Sequence, residues 1–418
     1  MSKYDRIVVT GLGALTSIGN NVNDYWQSLI NGVSGAELIK NFDTSKFKTR
    51  FACEIKGFDP LQYIDKKDVR KMDPYVRLAI AAADEAMNDA GFVNGNYDPD
   101  RFGVIFGSGV GGFESFQEEC ISYALNNRTP RFSPFFLPKI LCDIGAGHLS
   151  IRYNLRGPNF SVVSACASAN NSMIEALYHL RLNKADVILC GGSEMGVCEA
   201  CLGGFSSMKA LSERNEDPKA ASRPYDKDRD GFVMGEGAGV LILERLDHAL
   251  KRNARIYAEF AGGGASADAY HLTAPHPEGL GAKRVMLATF DDADMGITDI
   301  DYINTHGTST PLGDMAEIKA VTDVFGEHVK NVNISSTKSM TGHCLGAAGA
   351  IEAIACIKSI MHGIIPPTIN HFTDDPVFNP DLNFTFNTMQ YRTVKAAMSN
   401  NFGFGGHNAC VIFKEYIP

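Results

Sequence analysis

One ordered recurrence constrains the chain more than any other feature of its sequence. The segment FSVVSACASANNSMIEALYHL is followed, at an offset of roughly 170 residues, by VNISSTKSMTGHCLGAAGAIEAIACI. Each reads as an apolar strand, a loop holding a reactive side chain, and a buried helix. A second pair, GFVMGEGAGVLILER and GFGGHNACVIFKEY, repeats a glycine-rich turn that feeds an apolar strand. The period is too long for a solenoid, so the recurrence predicts a duplicated domain.

Apolar runs at Arg6–Thr10, Phe102–Phe106, Phe160–Ala165 and Val187–Cys190 alternate with stretches of helical period, the signature of an α/β layer fold. In the stretch Asn170–Leu182, Met173, Ile174, Leu177 and Leu180 recur at three- and four-residue steps and mark one buried face. A chain of 418 residues exceeds one ordinary core. The division into halves is expected near 253–257, giving units 1–255 and 256–418.

A net charge of −9 argues against general nucleic-acid binding, which needs a field opposite to that of phosphate. The start MSKYDRIVVTGLG has no leader pattern, and no apolar run reaches membrane-spanning length without polar interruption, so a soluble, cytoplasmic protein is expected. The ten cysteines are scattered rather than framed for disulfides, and most are expected to be reduced and structural. Three motifs imitate ligand sites. GSGVGG at 107–112 matches a dinucleotide fingerprint but lacks the acidic second strand. DKDRDG at 226–231 opens like a calcium loop, yet Gly237 stands where a bidentate glutamate is required. Cys198 and Cys201 have metal-ligand spacing without a second pair. No metal is expected.

Cys166 sits where a strand meets a helix, a place where the helix dipole favours a thiolate and free N–H groups face a developing oxyanion. His306, in NTHGTSTPLGD, follows the strand Tyr302–Thr305 and precedes a helix with Met315, Ile318, Val321 and Phe325 on one face. His343, in SSTKSMTGHCLGAAGA, again lies between a strand and a buried helix. Loops at strand carboxyl ends gather at one crevice in α/β sheets. A cysteine with two histidines there can take an acyl group and then stabilise a thioester enolate with two N–H donors.

SACAS, NTHGTSTPLGD, STKSMTGHCLGAAGAIE and SNNFGFGGHN, with GPNFSVVSACAS and RPYDKDRDGFVMGEGAGVLILE, resemble the condensing-enzyme family in its β-ketoacyl-[acyl-carrier-protein] synthase II branch. The resemblance runs from VVTGLGALTSIG to the last strand. It implies a thiolase-like five-layer αβαβα fold of two pseudo-repeated halves, a homodimer, and decarboxylative condensation of acyl and malonyl groups carried on the phosphopantetheine of acyl carrier protein, with no further cofactor. It assigns catalysis to Cys166, His306 and His343. Lys338 is implied to pair with Glu352, and Phe402 to act as a gate whose backbone N–H joins that of Cys166 in the oxyanion hole. Thr308 and Thr310 are implied to bind the pantetheine arm, and Val110 and Phe136 to line the acyl pocket. Cys344 and His407 depart from the common pattern without removing a catalytic group. A polyketide ketosynthase, an initiating synthase and a non-catalytic chain-length factor share the fold. The paired histidines speak against the initiating type, and retention of the cysteine speaks against the chain-length factor. An acidic carrier protein calls for a local basic patch, for which Lys66, Lys67, Arg70, Lys71, Arg128, Arg131, Lys209 and Arg214 are candidates.

Overall fold

The structure, a computed structural model, describes residues 4–92 and 95–418. Ten strands among the described residues form one sheet: β1 (Ile7–Thr16), β2 (Phe102–Gly107), β3 (Asn159–Val162), β4 (Val187–Glu194), β5 (Gly237–Arg245), β6 (Ala258–Ala267), β7 (Tyr302–Asn304), β8 (Asn333–Ser335), β9 (Ala396–Gly403) and β10 (His407–Lys414). Their order across the sheet is β8-β7-β9-β10-β6-β1-β5-β4-β2-β3. Read outward from the centre, β1-β5-β4-β2-β3 and β6-β10-β9-β7-β8 have the same connectivity, so the recurrence seen in the sequence is a recurrence of topology. The two sets join where Ile7–Val9 pairs antiparallel with Ala258–Phe260.

The helices needed to place the site are α1 (Pro74–Asp89), α2 (Phe113–Leu125), α3 (Phe136–Ile140), α4 (Ser168–Arg181), α5 (Leu280–Ala293), α6 (Pro311–Phe325) and α7 (Ala348–His362). Three apolar cores separate the layers. One lies between α1 and the first five strands, and a second between α5, α6 and the other five. The third and largest encloses α4 and α7, which pack against each other and against strands of both sets. The result is the five-layer αβαβα arrangement.

Met173, Ile174, Leu177 and Leu180 are buried on α4, on the face their spacing marks. Of the four residues expected on one face of α6, Ile318, Val321 and Phe325 are buried and Met315 is exposed. The expected strand Phe160–Ala165 stops at Val162, because Ala165 takes a left-handed φ of 50° and turns the chain into α4. The stretch Leu345–His362, apolar and long enough by composition to cross a membrane, is the buried turn and central helix α7.

The three imitative motifs serve the packing. Asp226 spends its carboxylate on the N–H groups of Asp228, Phe372 and Thr373. GSGVGG ends β2 and leads to α2. Cys198 and Cys201 are buried in the same apolar cluster as Cys166, and all ten cysteines are free.

Because α7 is buried from Ala348 to Ser359, truncating one of its apolar side chains opens a cavity. Ile354→Ala, at a fully buried position, should destabilise the fold by about 2–5 kcal/mol, measurable as a lower midpoint in chemical denaturation.

Candidate active site

Two strand-to-helix turns meet at the centre of the molecule. In the first, Ser164 follows β3, Ala165 turns left-handed, and Cys166 stands in the tight turn Ala165–Ala167 that feeds α4. In the second, the chain leaves β8, passes through the short helix Lys338–Thr341 and His343, and enters the matching turn Leu345–Ala347 that feeds α7. Leu345 repeats the left-handed conformation with φ 43°. A non-glycine residue held there twice, at the same point of two turns, marks a backbone constrained by its surroundings.

His306 comes directly after β7 and is held by its backbone. The Glu317 carboxylate on α6 accepts the N–H groups of His306 and Gly307, each at 2.8 Å. His343 is gripped by the other half of the chain: its N–H donates to the Val233 carbonyl at 2.7 Å, and its carbonyl accepts the Gly235 N–H at 3.0 Å. The Phe232 ring meets the His343 imidazole edge-on at 5.4 Å. The two imidazoles lie perpendicular, their centres 5.2 Å apart, and Phe402 tilts against His306 at 5.6 Å.

Cys166, His306, His343, Thr308, Thr310, Phe402 and Val110 all line one cleft of about 510 Å³. The hydroxyls of Thr308 and Thr310 face each other at 3.1 Å. Behind the cleft, the buried Lys338 ammonium pairs with Glu352, whose second oxygen accepts the Asn401 amide at 2.6 Å.

Two expectations differ from what is observed. The backbone N–H that reaches the Cys166 sulfur belongs to Phe404, not Phe402. Phe402 is still inside β9, in register with Asn408, whereas Phe404 is the first residue past the strand end and is free to point at the thiol. Phe136 does not line the cleft of the single chain. It stacks on Phe116 at 6.2 Å and on Phe132 at 5.3 Å, in an excursion of α2 and α3 whose apolar side, including Leu125, Phe135 and Leu137, is exposed. Among the described residues, nothing folds back to cover it.

Sequence reasoning passed over Glu317, Glu194 and Phe404. The first two are buried carboxylates on predicted apolar elements, and that misfit was the available signal, since a buried charge needs a reason. For Phe404 the signal was absent, because a backbone donor has no residue identity.

The chain matches the model of the beta-ketoacyl synthase N-terminal domain over residues 4–249 and that of the C-terminal domain over 257–372. It is 46% identical to the 3-oxoacyl-[acyl-carrier-protein] synthase 2 of Staphylococcus aureus (strain N315), over the full length of both. Among solved structures it resembles a beta-ketoacyl synthase from Burkholderia phymatum STM815, with TM-score 0.91, 32% identity and coverage of 99% of this chain and 100% of that one. It also resembles a type II PKS ketosynthase solved in complex with its acyl-carrier protein, with TM-score 0.90, 30% identity and the same coverage.

The electrostatics of the cleft are those of a dry site. Burial pushes the Cys166 thiol up to about 12, against the opposing pull of the Lys338 charge and of the Phe404 N–H. Burial thus opposes the thiolate that the end of α4 favours. Burial also drives His306 and His343 well below the ordinary imidazole range, and the Lys338 cation pushes both the same way. Both rings are neutral at pH 7. Burial raises Glu317 to about 7. A thiol raised this far ionises only as pH climbs, so alkylation of Cys166 by iodoacetamide in the substrate-free protein should accelerate about tenfold per pH unit between pH 7 and 9. Peptide mass spectrometry reads it out, and a rate already level at neutral pH would show a resting thiolate instead.

Proposed function

The chain belongs to the beta-ketoacyl synthase family, both of whose domains it carries in order, and on that premise we propose how its buried cysteine and histidines share the work. The reaction is that of a β-ketoacyl-[acyl-carrier-protein] synthase II: acyl and malonyl carrier proteins condense with loss of carbon dioxide to 3-oxoacyl carrier protein in fatty acid elongation. The observation that carries the assignment of roles is that Cys166, His306 and His343, far apart in sequence, line one cleft.

Cys166 Sγ attacks the acyl thioester. The proton lost from its thiol leaves with the carrier's thiol, and the acyl group stays on sulfur. The tetrahedral oxygen formed on the way is met by the N–H groups of Cys166 and Phe404. Malonyl carrier protein then enters past Thr308 and Thr310. As its carboxylate leaves as carbon dioxide, the thioester oxygen gathers negative charge, and the two neutral imidazoles donate N–H hydrogen bonds to it. Neutrality matters here, because a neutral imidazole keeps its second nitrogen free of a proton and stabilises the enolate without protonating it. The nucleophilic carbon attacks the acyl-enzyme, Cys166 leaves as thiolate, and a proton from solvent restores the thiol. Burial keeps the rings neutral, and Lys338, paired with Glu352, adds a positive charge that acts in the same direction.

The uncovered apolar side of α2 and α3 is where we propose a second copy docks, giving a homodimer and bringing Phe136 to a pocket. The soluble, cytoplasmic setting and the absence of any cofactor beyond the carrier arm belong to the same reading. So does the division into units 1–255 and 256–418.

Cys166→Ala should abolish acyl uptake while leaving malonyl decarboxylation in place. His306→Ala and His343→Ala should each keep acyl uptake and lower condensation by about 100-fold or more. Condensation at the wild-type rate in either histidine variant removes that residue from the mechanism. For the carrier protein, the exposed Lys67 and Arg70 are the first residues to test. Reversing both charges should raise the apparent KM for carrier substrates by about tenfold at low salt with kcat held, since rim charges act on encounter; an unaltered KM takes them off the docking face.

A further inference from the structure

The two strand-to-helix turns share a backbone but are filled differently. Leu345–Gly346–Ala347 stands where Ala165–Cys166–Ala167 stands in the other half, each ahead of a central helix. The strands β4 and β9, equivalent in the sheet order, end at Glu194 and Gly403. At the cysteine turn the strand contributes no side chain: a Cβ on Gly403 would lie 3.1 Å from the Cys166 nitrogen. At the other turn the roles are exchanged. A Cβ on Gly346 would lie 2.2 Å from the Gly109 nitrogen and 2.7 Å from Glu194 Oε2.

Glu194 fills that space with a carboxylate. Its Oε2 accepts the N–H groups of Gly346 at 3.0 Å and Gly109 at 2.6 Å, and its Oε1 accepts the Val110 N–H at 3.2 Å and the Ser108 hydroxyl at 3.0 Å. The group is fully buried, and among the described residues no cation pairs with it. Four converging donors without a countercharge are what an anion hole consists of. This one is the counterpart of the oxyanion site at Cys166, occupied by the protein itself.

We infer that Glu194 is a positioning residue for the acyl half of the reaction: its carboxylate, seated in the second turn's unused anion hole, clamps Val110 and Leu345 as the walls beside Cys166. Val110 is held through its own N–H, and Leu345 through that of its neighbour Gly346. Both side chains pack in one apolar cluster with Cys166. The clamped loop also backs the nucleophile's turn, since a Cβ on Gly109 would meet the Ala165 carbonyl at 3.3 Å. The malonyl half depends on His306 and His343, whose backbones are held by Glu317 and by Val233–Gly235 instead.

This inference rests on the condensing-enzyme reading, and the wild-type protein tests that separately: failure both to take up an acyl group and to decarboxylate malonyl carrier protein would sink the reading itself. Glu194→Gln keeps the volume but turns an amide donor toward N–H donors. Its apparent KM for acyl carrier protein should rise by about tenfold or more, with malonyl decarboxylation changed less than about threefold. Ser108→Ala, which removes one donor of the four, should move the same ratio in the same direction by a smaller factor, and it carries the comparison alone if the glutamine variant does not fold. An unaltered acyl KM, or equal losses in both half-reactions, would overturn the assignment and leave Glu194 a fold-stabilising group.

Discussion

Everything at this site follows from the withdrawal of the N-terminal turns of α4 and α7 from water. The duplicated five-strand sets pack on the pair of helices from both sides. Their N-terminal turns then lie inside the protein rather than at its surface. A reactive group placed on such a turn is dry before any substrate arrives.

Dryness decides the charge states. It makes the thiolate expensive and the imidazolium more so, and it demands that the few permanent charges be paired. Lys338 and Glu352 answer that demand for each other, while burial, with the cation acting in the same direction, keeps both histidines neutral. The helix terminus below Cys166 contributes donors for an oxyanion rather than a resting thiolate. Burial therefore favours the protonated form of the Cys166 thiol.

Duplication gave the molecule two similar turns, and they have diverged by exchanging a side chain between strand and turn. Where Gly403 leaves room, Cys166 reaches into the cleft; where Gly346 leaves room, Glu194 closes it. Glu317 and Glu194 play parallel parts, each a buried carboxylate that gathers consecutive N–H groups of a loop following a strand. Such carboxylates are internal substitutes for the secondary structure these loops lack.

Much of this was legible from residues alone. The period of α4 marked its buried face, the repeated order of strand, loop and helix foretold two matching halves, and Cys166, His306 and His343 stood out because reactive side chains recurred at one kind of junction. Phe402 lies two residues from the N–H that reaches the sulfur, and Phe136 does not reach the cleft within one chain. Side-chain chemistry and periodicity are properties of the chain as written, and so the layer class and the candidates Cys166, His306 and His343 could be read there. Which backbone N–H meets the sulfur, whether burial or helix dipole wins at the thiol, and which carboxylate fills the second turn are settled by distances between segments remote in sequence, and only the folded structure sets those distances.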